Sequence, residues 1–294
     1  MAEAAYTVAS DSETSREEKF SSTFPETTIG IDIGTSQCKV AVWNGSQVEI
    51  LKNSRKPEDD EFLSLVENVW RSTTPEEVLA IFLVELREMA ERQLKRPIKN
   101  AVLTIPVSFS SRFQLTRIER ACAMAGLHIL RLMPEPTAVA LLYTLYTKQI
   151  GYQSTDRNVL IFNMGAGYCD VALSVTAEEA PRGISQTIAL TGSAIGGEDL
   201  LQNMMRHLLP NAENLLTSNV VDQIKSQGLL RVATQNAIHS LSSQTSVQID
   251  VDLGNGIKIC KVVDQEEFEE VNRAVFDKCA SLIIQCLHDA KEYM

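Results

Sequence analysis

One twelve-residue pattern occurs twice in this 294-residue chain, and it limits the possible folds more than any other feature. IDIGTSQCKVAV at residues 31–42 aligns without gaps with FNMGAGYCDVAL at residues 162–173. The copies share a glycine, a cysteine, a valine and an alanine: Gly34 and Gly165, Cys38 and Cys169, Val40 and Val171, and Ala41 and Ala172. Each copy has the pattern of a strand, a glycine turn and a second strand. Two such hairpins, each opening an α/β half, predict a duplicated domain whose turns face each other across a cleft.

The glycines of these turns favour a phosphate site. Backbone N–H groups approach anionic oxygens only where no Cβ intervenes, and Gly34, Gly165 and Gly167 meet that condition. Asp32 ends the first strand with a carboxylate, whereas Asn163 has a neutral amide at the matched position. A phosphate-handling enzyme needs a carboxylate there, so Asn163 leaves open whether the site is a working one.

Strand and helix patterns alternate along the rest of the chain. Thr74, Pro75 and Glu77 form a capping box with proline at the first helical position, which predicts a long helix. A strand, a helix ended by Gly126, another strand and another helix follow, in β-α-β-α order. Near the C-terminus we expect a hairpin across Gly254-Asn255-Gly256 and one helix from Asp264 to the end.

The polar stretch TKQIGYQSTDR separates two halves of the chain. We therefore expect a disordered acidic tail at residues 1–26, a first lobe at 27–150 and a second lobe at 151–294. Asn44-Gly45 is interpreted as a hairpin turn and not as a glycosylation site.

Composition excludes several classes of function. A net charge of -11, with no run of Lys or Arg longer than two, argues against nucleic-acid and anionic-membrane partners. No apolar run reaches the ~18 residues of a membrane helix, and the N-terminus does not resemble a signal peptide, so we expect a cytoplasmic protein. The six cysteines are scattered without a C-x-x-C pair, and no H-E-x-x-H motif is present, which indicates reduced core thiols and gives no support to a metal site.

Three motifs carry a resemblance to a known family, and the similarity extends from Thr28 to the C-terminus. They are IGIDIGTSQCKVAVW, PVSFSSRFQLTRIERACAMAGLHILRLMPEPTAVALLY, and VLIFNMGAGYCDVALSV with IGGEDL. Together they resemble the ATPase domain of the 70-kDa heat-shock chaperones, within the actin and sugar-kinase superfamily. The resemblance implies an α/β fold with two duplicated, actin-like lobes, ATP or ADP with Mg²⁺ as cofactors, and a role in ATP-dependent protein folding. It implies co-chaperones or the unfolded-protein machinery as partners.

The resemblance also assigns roles to individual residues. Asp32 matches a carboxylate that holds hydrated Mg²⁺, Glu135 matches the acid near the attacking water, and Asp170 matches a further family carboxylate. The resemblance places further residues at the family's phosphate and adenosine contacts, whether or not their types are kept: Gly34, Thr35, Ser36, Gln37, Gly165, Ala166, Gly167, Tyr168, Gly196, Gly197, Gln235, His239 and Ser242.

Several of these positions depart from the family pattern. Asn163 replaces the second carboxylate on the magnesium side, and Tyr168 replaces a small hydroxyl residue. Gln235, Ile238 and His239 stand where the family has Glu, Lys and Arg, and only Ser242 matches. Loss of these charged contacts would cost roughly 3–6 kcal/mol of nucleotide binding.

Two family segments are reduced or missing. The region that bears the family's catalytic lysine is shortened to about residues 52–71, where Lys56 is no obvious substitute. The chain ends at HDAKEYM, before the strand and Gly-Gly loop that complete the family's adenine pocket. We therefore expect an incomplete second lobe and weakened nucleotide binding and hydrolysis.

Three hypotheses remain open from the sequence. The first is a chaperone-family ATPase domain that binds ATP. The second is a non-catalytic interaction or regulatory module derived from that domain, which Asn163 and the altered adenosine positions favour. The third is a small-molecule kinase of the same superfamily, which the motifs PEPTAVALLY and IGGEDL disfavour.

Overall fold

The computed structural model describes most of the chain and shows two compact units. It covers residues 28–43, 47–51, 74–149, 157–176, 185–209, 220–254 and 256–291. The described residues within Met1–Ile31, Lys39–Leu103 and Arg112–Leu132 form the first unit, and those within Asp32–Cys38, Thr104–Ser111 and Met133–Met294 form the second. The predicted tail at 1–26, the Asn44-Gly45 turn and Lys56 lie outside the described residues, and the lobe boundaries at 27–150 and 151–294 stay a prediction.

A five-stranded sheet with the order β3-β2-β1-β4-β5 organises the first unit. Its strands are β1 (Thr28–Ile33), β2 (Cys38–Trp43), β3 (Val48–Leu51), β4 (Asn100–Ile105) and β5 (His128–Pro134). Strands β2 and β3 are antiparallel. Alternate residues of β4 are buried, as the period of two in a strand requires. The last residues of β1, β4 and β5 are assigned to the second unit.

In the described residues, the first unit also contains the helices α1 (Pro75–Leu94) and α2 (Arg112–Met124). The predicted capping box is present, with Thr74 Oγ1 accepting from the Glu77 N–H at 3.3 Å and Glu77 Oε2 accepting from the Thr74 N–H at 2.7 Å. The Arg117 guanidinium binds the Glu76 carboxylate through two donors and joins the helices. Gly126 follows α2 with φ +74°, the left-handed geometry expected of a glycine that ends a helix.

In the part of the chain that the structure describes, ten elements belong to the second unit. They are α3 (Glu135–Gln149), β6 (Arg157–Met164), β7 (Cys169–Thr176), β8 (Ser185–Ser193), α4 (Gly197–Leu208), α5 (Val220–Leu241), β9 (Ser246–Gly254), β10 (Ile257–Asp264), α6 (Gln265–Val271) and α7 (Arg273–Lys291). Strands β6, β7 and β8 form an antiparallel meander. The predicted hairpin of β9 and β10 is confirmed.

Strand β7 separates two small cores because its side chains alternate between the faces of the meander. Val171 and Leu173 pack with Leu282 of α7 on one face. Ala172 packs with Ala140 of α3 on the other. The meander is therefore covered by a helix on each side, and β7 holds the residues after the second glycine turn in a rigid, buried strand.

A separate core joins α4, α5, β9 and β10. Its buried members are Met204, Leu208, Leu230, Ala237, Leu241, Ile249, Leu253, Ile259 and Val263. In the described residues, no helix combines the length and the apolar character needed to cross a bilayer.

The helix predicted from Asp264 to the end is divided in two at Asn272, so that part of the prediction was wrong. Asn272 is fully buried. Its side-chain amide donates to Phe268 O at 3.0 Å and its Oδ1 accepts from Asn203 at 3.1 Å. The Val275 N–H donates to Asn272 O at 2.9 Å and begins the second helix. A buried asparagine that bonds the backbone competes with a continuous helix, and periodicity does not reveal it.

We expect Leu282→Ala to lower the free energy of unfolding by about 2–5 kcal/mol, because it opens a cavity beneath the meander. Leu282 is 3% exposed, whereas Ile284 on the same helix is 68% exposed. Ile284→Ala is therefore the matched control and should change stability by less than about 0.5 kcal/mol. Urea unfolding monitored by circular dichroism measures both. Equal losses for the two variants would contradict the packing described for α7.

Candidate functional site

The two glycine turns have the same backbone geometry. The Gly34 N–H donates to Gln37 O at 3.1 Å, and the Gly165 N–H donates to Tyr168 O at 2.8 Å. Each bond spans three residues and closes the turn at the matched position of the repeat. The amides of residues 35–37 and 166–168 follow the closing donor, so they are the candidates for contacts with phosphate oxygens.

The turns meet within the second unit. A Cβ added to Gly167 would collide with Thr35 Oγ1 and would lie 3.1 Å from Thr35 Cβ. The side chain of the first turn therefore occupies the space that the glycine of the second leaves open. This close approach brings together the two segments that the repeat pairs.

The N-terminus of α4 supports the second turn. The Gly197 N–H donates to Gly165 O at 3.0 Å, and the Glu198 N–H donates to Ala166 O at 2.8 Å. A Cβ on Gly196 would lie 2.7 Å from Gly165 O, so only glycine allows the helix to come this close. Asp199 Oδ2 accepts from the Gly196 N–H at 2.8 Å and holds the start of the helix in place. Gly196 and Gly197 thus lie against the carbonyl groups of the second turn.

Asp32 lies at the end of β1, beside the end of β4. Its Oδ1 accepts from the Thr104 hydroxyl at 2.9 Å. The side chains of both residues are half-buried. The hydroxyl orients the carboxylate that the family resemblance assigns to the magnesium side of the cleft.

Asn163, at the end of β6, binds the first residue of α3. Its Nδ2 donates to Glu135 Oε2 at 2.7 Å. Burial raises the pKa of Glu135, the Asn163 hydrogen bond opposes that rise, and the negative charge of Asp32 adds to it. The amide thus satisfies an acid that its surroundings would otherwise protonate more readily.

Asp170 is the most deeply buried acid of the site, with 0% exposure. Its Oδ2 accepts from the Val107 N–H at 3.1 Å, and its Oδ1 has no hydrogen-bond partner in the described part of the chain. Gly192 leaves room for that oxygen, because a Cβ there would collide with it. Burial raises the pKa of Asp170 to about 6, the Val107 bond opposes the rise, and Glu135 adds to it.

Tyr168 closes the second turn and packs against an aromatic neighbour. Its ring meets that of Phe109 edge to face, with centroids 5.4 Å apart. Edge-to-face pairs of this kind stabilise by about 0.5–1.5 kcal/mol beyond area burial. The residue that replaces the family's small hydroxyl therefore has a packing role.

Of the positions assigned to adenosine, Gln235, Ile238 and His239 lie on α5, and Ser242 follows its last residue. Gln235, His239 and Ser242 are exposed, whereas Ile238 packs against the core of α4, α5, β9 and β10. Ser242 Oγ donates to His239 O at 2.6 Å and caps the helix. In the described residues, these side chains make none of the contacts that join the two turns.

An ion pair connects α5 to the second turn indirectly. Arg231 binds Glu198, the residue whose N–H holds the turn, through two bonds of 2.6 Å. The hydrogen bonds from Arg231 lower the pKa of Glu198 to about 2. Both side chains are partly exposed, so the pair positions the helices more than it stabilises them.

The side chains present do not fit a directly bound metal ion. Within the described ranges, no group of three or more His, Cys, Asp or Glu residues is arranged to hold one. At the position of the second carboxylate, Asn163 directs its N–H to Glu135, which leaves a neutral carbonyl oxygen and no net charge to face a cation. A metal ion bound here would need ligands from another source, such as the phosphates of a nucleotide.

Four contributors to the site were missed from the sequence: Thr104, Val107, Phe109 and Gly192. Thr104 occupies a position of β4 whose neighbours are buried and apolar, which was the one usable signal. The contacts of the other three come from loops or sheet neighbours that local pattern does not reveal.

Comparison with known proteins identifies the family. The family model described as Hsp70 protein matches residues 56–293. The chain is 51% identical over 363 aligned positions, covering 99% of this chain and 62% of the relative, to Heat shock 70 kDa protein 8 of Arabidopsis thaliana. This chain belongs to the Hsp70 family. The expected fold class, an actin-like α/β ATPase fold with duplicated lobes, is confirmed as that of the Hsp70 nucleotide-binding domain.

More distant Hsp70 relatives cover about three quarters of the chain. Heat shock 70 kDa protein 2 of Paracoccidioides lutzii is 36% identical over 74% of this chain and 32% of its own length. A ribosome-associated molecular chaperone of Saccharomyces cerevisiae is 30% identical over 75% of this chain and 35% of its own length. The chain thus spans less than two thirds of each of these Hsp70 relatives. The alignment with the Arabidopsis protein is longer than this chain, so that relative has internal residues without counterparts here.

Asp170 gives the Hsp70-like site a testable pH dependence. The pKa of Asp170 is raised from an ordinary 3.8 to about 6. The folded protein is therefore most stable with Asp170 protonated: this contribution to stability is fully present below about pH 4 and is lost as the pH rises through 6. As the pH rises from 4 to 6, the free energy of unfolding of Asp170→Asn should therefore increase by about 1–3 kcal/mol relative to that of the wild type. Urea unfolding at several pH values measures the difference. Asp250→Asn, on an exposed residue of β9, is the control and should follow the wild type.

Proposed function

We propose that this chain is a nucleotide-binding module of the Hsp70 ATPase type with slow hydrolysis. It holds the phosphates of ATP or ADP between residues 34–37 and 165–168. The supporting observation is that the two turns, closed by equivalent hydrogen bonds, lie in contact through Thr35 and Gly167. The family's ATPase domain binds ATP or ADP with Mg²⁺, and the matched turns carry that property to this chain as a proposal.

Weak hydrolysis follows from the charges around the turns. Phosphoryl transfer is accelerated mainly by positioning and by groups that stabilise the developing negative charge. In the described residues, the partners of Asp32, Glu135 and Asp170 are neutral: the Thr104 hydroxyl, the Asn163 amide and the Val107 N–H. Glu135, the acid expected near the attacking water, already has one oxygen bonded to Asn163.

Weak binding of the adenosine part follows from α5. Gln235, Ile238 and His239 replace the family's charged contacts, and the Ile238 side chain packs against the core of α4, α5, β9 and β10. The phosphate turns therefore supply most of the affinity. Cytoplasmic location and co-chaperone or unfolded-protein partners complete the proposal and rest on the family relationship alone.

A non-catalytic interaction or regulatory module is the second candidate. Two observations favour it: Tyr168 packs on Phe109, and Asn163 pairs with Glu135. Both contacts make the site stable without a ligand. This candidate predicts no nucleotide binding at all.

Calorimetry with ATP and ADP, followed by single-turnover hydrolysis, separates these candidates. We expect saturable binding about a hundred- to ten-thousand-fold weaker than that of a complete Hsp70 ATPase domain measured alongside, corresponding to a loss of roughly 3–6 kcal/mol. Hydrolysis should be at least about tenfold slower, because transition-state charge is poorly stabilised. Turnover equal to the complete domain and abolished by Asp32→Ala would contradict the proposal.

The glycine turns offer a matched pair of variants. Gly167→Ala forces Thr35 out of its place, whereas a Cβ on Gly165 lies 3.8 Å from Tyr168 O, an ordinary contact. We expect Gly167→Ala to weaken ADP binding about three- to tenfold and Gly165→Ala to weaken it less than twofold, because only the former changes the distance between the turns. Calorimetric titration measures both, and a larger loss for Gly165→Ala would place the phosphates elsewhere.

A further inference from the structure

We propose that the Asn163 amide takes the place of a divalent cation beside Glu135, so that nucleotide binding by this chain does not depend on Mg²⁺. The part concerning nucleotide rests on the proposed function. The part concerning the amide rests on the geometry of Asn163 and Glu135 and is tested separately.

The hydrogen bond itself defines how the amide is oriented. An ionised carboxylate has only acceptor atoms, so the group that approaches Glu135 Oε2 to 2.7 Å must be the Asn163 N–H and not its oxygen. Asn163 ends β6, and Glu135 begins α3, so each is held by a regular element. Both side chains are half-buried, which keeps the bond from being replaced easily by water.

An aspartate at position 163 would change this contact completely. Two carboxylate oxygens at hydrogen-bond distance repel each other unless a proton or a cation lies between them. Asp32 and Asp170 add to the negative charge around Glu135, since each interacts electrostatically with Glu135. A carboxylate pair at this position would therefore require a shared proton or a cation, and the amide removes that requirement.

The donor set agrees with this interpretation. In the described part of the chain, no three acidic, His or Cys side chains are arranged around a metal position. The nearest neutral partners already satisfy one oxygen each of Asp32, Glu135 and Asp170. The described side chains thus offer no direct ligand set for Mg²⁺, and at position 163 a neutral amide adds no charge towards a hydrated ion.

Thermal unfolding without nucleotide tests the amide directly. The wild type, Asn163→Asp, Asn163→Asp with Glu135→Gln, and Asn158→Asp are compared in EDTA and in MgCl₂. Asn158 is an exposed residue of the same strand, so Asn158→Asp adds the same charge away from Glu135. The double variant restores an amide opposite the new carboxylate.

We expect Mg²⁺ to leave the melting temperature of the wild type unchanged. Asn163→Asp should melt roughly 2–6 °C lower in EDTA and regain most of that loss in MgCl₂. The double variant and Asn158→Asp should behave like the wild type. Stabilisation of the wild type by Mg²⁺ alone, or equal behaviour of Asn163→Asp and Asn158→Asp, would overturn the proposal.

Calorimetry with ADP in EDTA and in MgCl₂ tests the consequence for nucleotide. The wild-type affinity should change less than about twofold between the two buffers, whereas that of Asn163→Asp should rise at least about tenfold with Mg²⁺. A tenfold dependence in the wild type would overturn Mg²⁺ independence. Absence of any ADP binding by the wild type would refute the proposed function, and the unfolding experiment would still decide the role of the amide. If Asn163→Asp fails to fold even with MgCl₂, the two wild-type measurements decide.

Discussion

The close backbone approach of the second glycine turn to its neighbours is the constraint on which the site depends. Thr35 packs where Gly167 has no Cβ, and α4 begins against Gly165 because Gly196 has none either. Each contact needs the absence of one carbon atom. The N–H groups of Gly197 and Glu198 then donate to the carbonyl oxygens of the turn, at Gly165 and Ala166. Without these approaches the two copies of the repeat would remain two unrelated hairpins.

The acids of the site are hydrogen-bonded by neutral groups, so the contacts that hold the site together differ from those that hydrolysis would need. A hydroxyl, an amide and a backbone N–H each bind one carboxylate oxygen. Such partners hold the carboxylates in place but do not neutralise their charge. Binding of a phosphate chain would therefore depend on the turn amides, whereas rapid hydrolysis would need positive charge that these contacts do not supply. The same fold can therefore be compatible with phosphate binding and still lack what rapid hydrolysis requires.

The long elements were predictable because their signals are local. The capping box of Thr74 and Glu77, the glycine that ends α2 and the β9–β10 hairpin all depend on residues within a few positions of one another. The break at Asn272 was missed because the buried side chain that bonds Phe268 O also accepts from Asn203, far away in the chain, and hydrophobic periodicity reveals neither bond. The role of Ile238 was similarly hidden, since it depends on which face of α5 meets the core.

The repeat, with its glycines and its exchange of Asp32 for Asn163, was enough to indicate a duplicated α/β fold and a phosphate site with an unusual charge. These features depend only on residue types and their spacing, which are properties of the sequence and not of the folded structure. Tertiary structure alone decided what Asn163 does, because its donor could have faced a ligand, solvent or a neighbour. Packing of β6 beside α3 brings Glu135 Oε2 to 2.7 Å from Asn163 Nδ2, so the amide that replaces a carboxylate serves as a hydrogen-bond donor. The contacts of Thr104, Val107 and Gly192 arise in the same way, since each joins segments distant in the chain that only the folded sheets bring together.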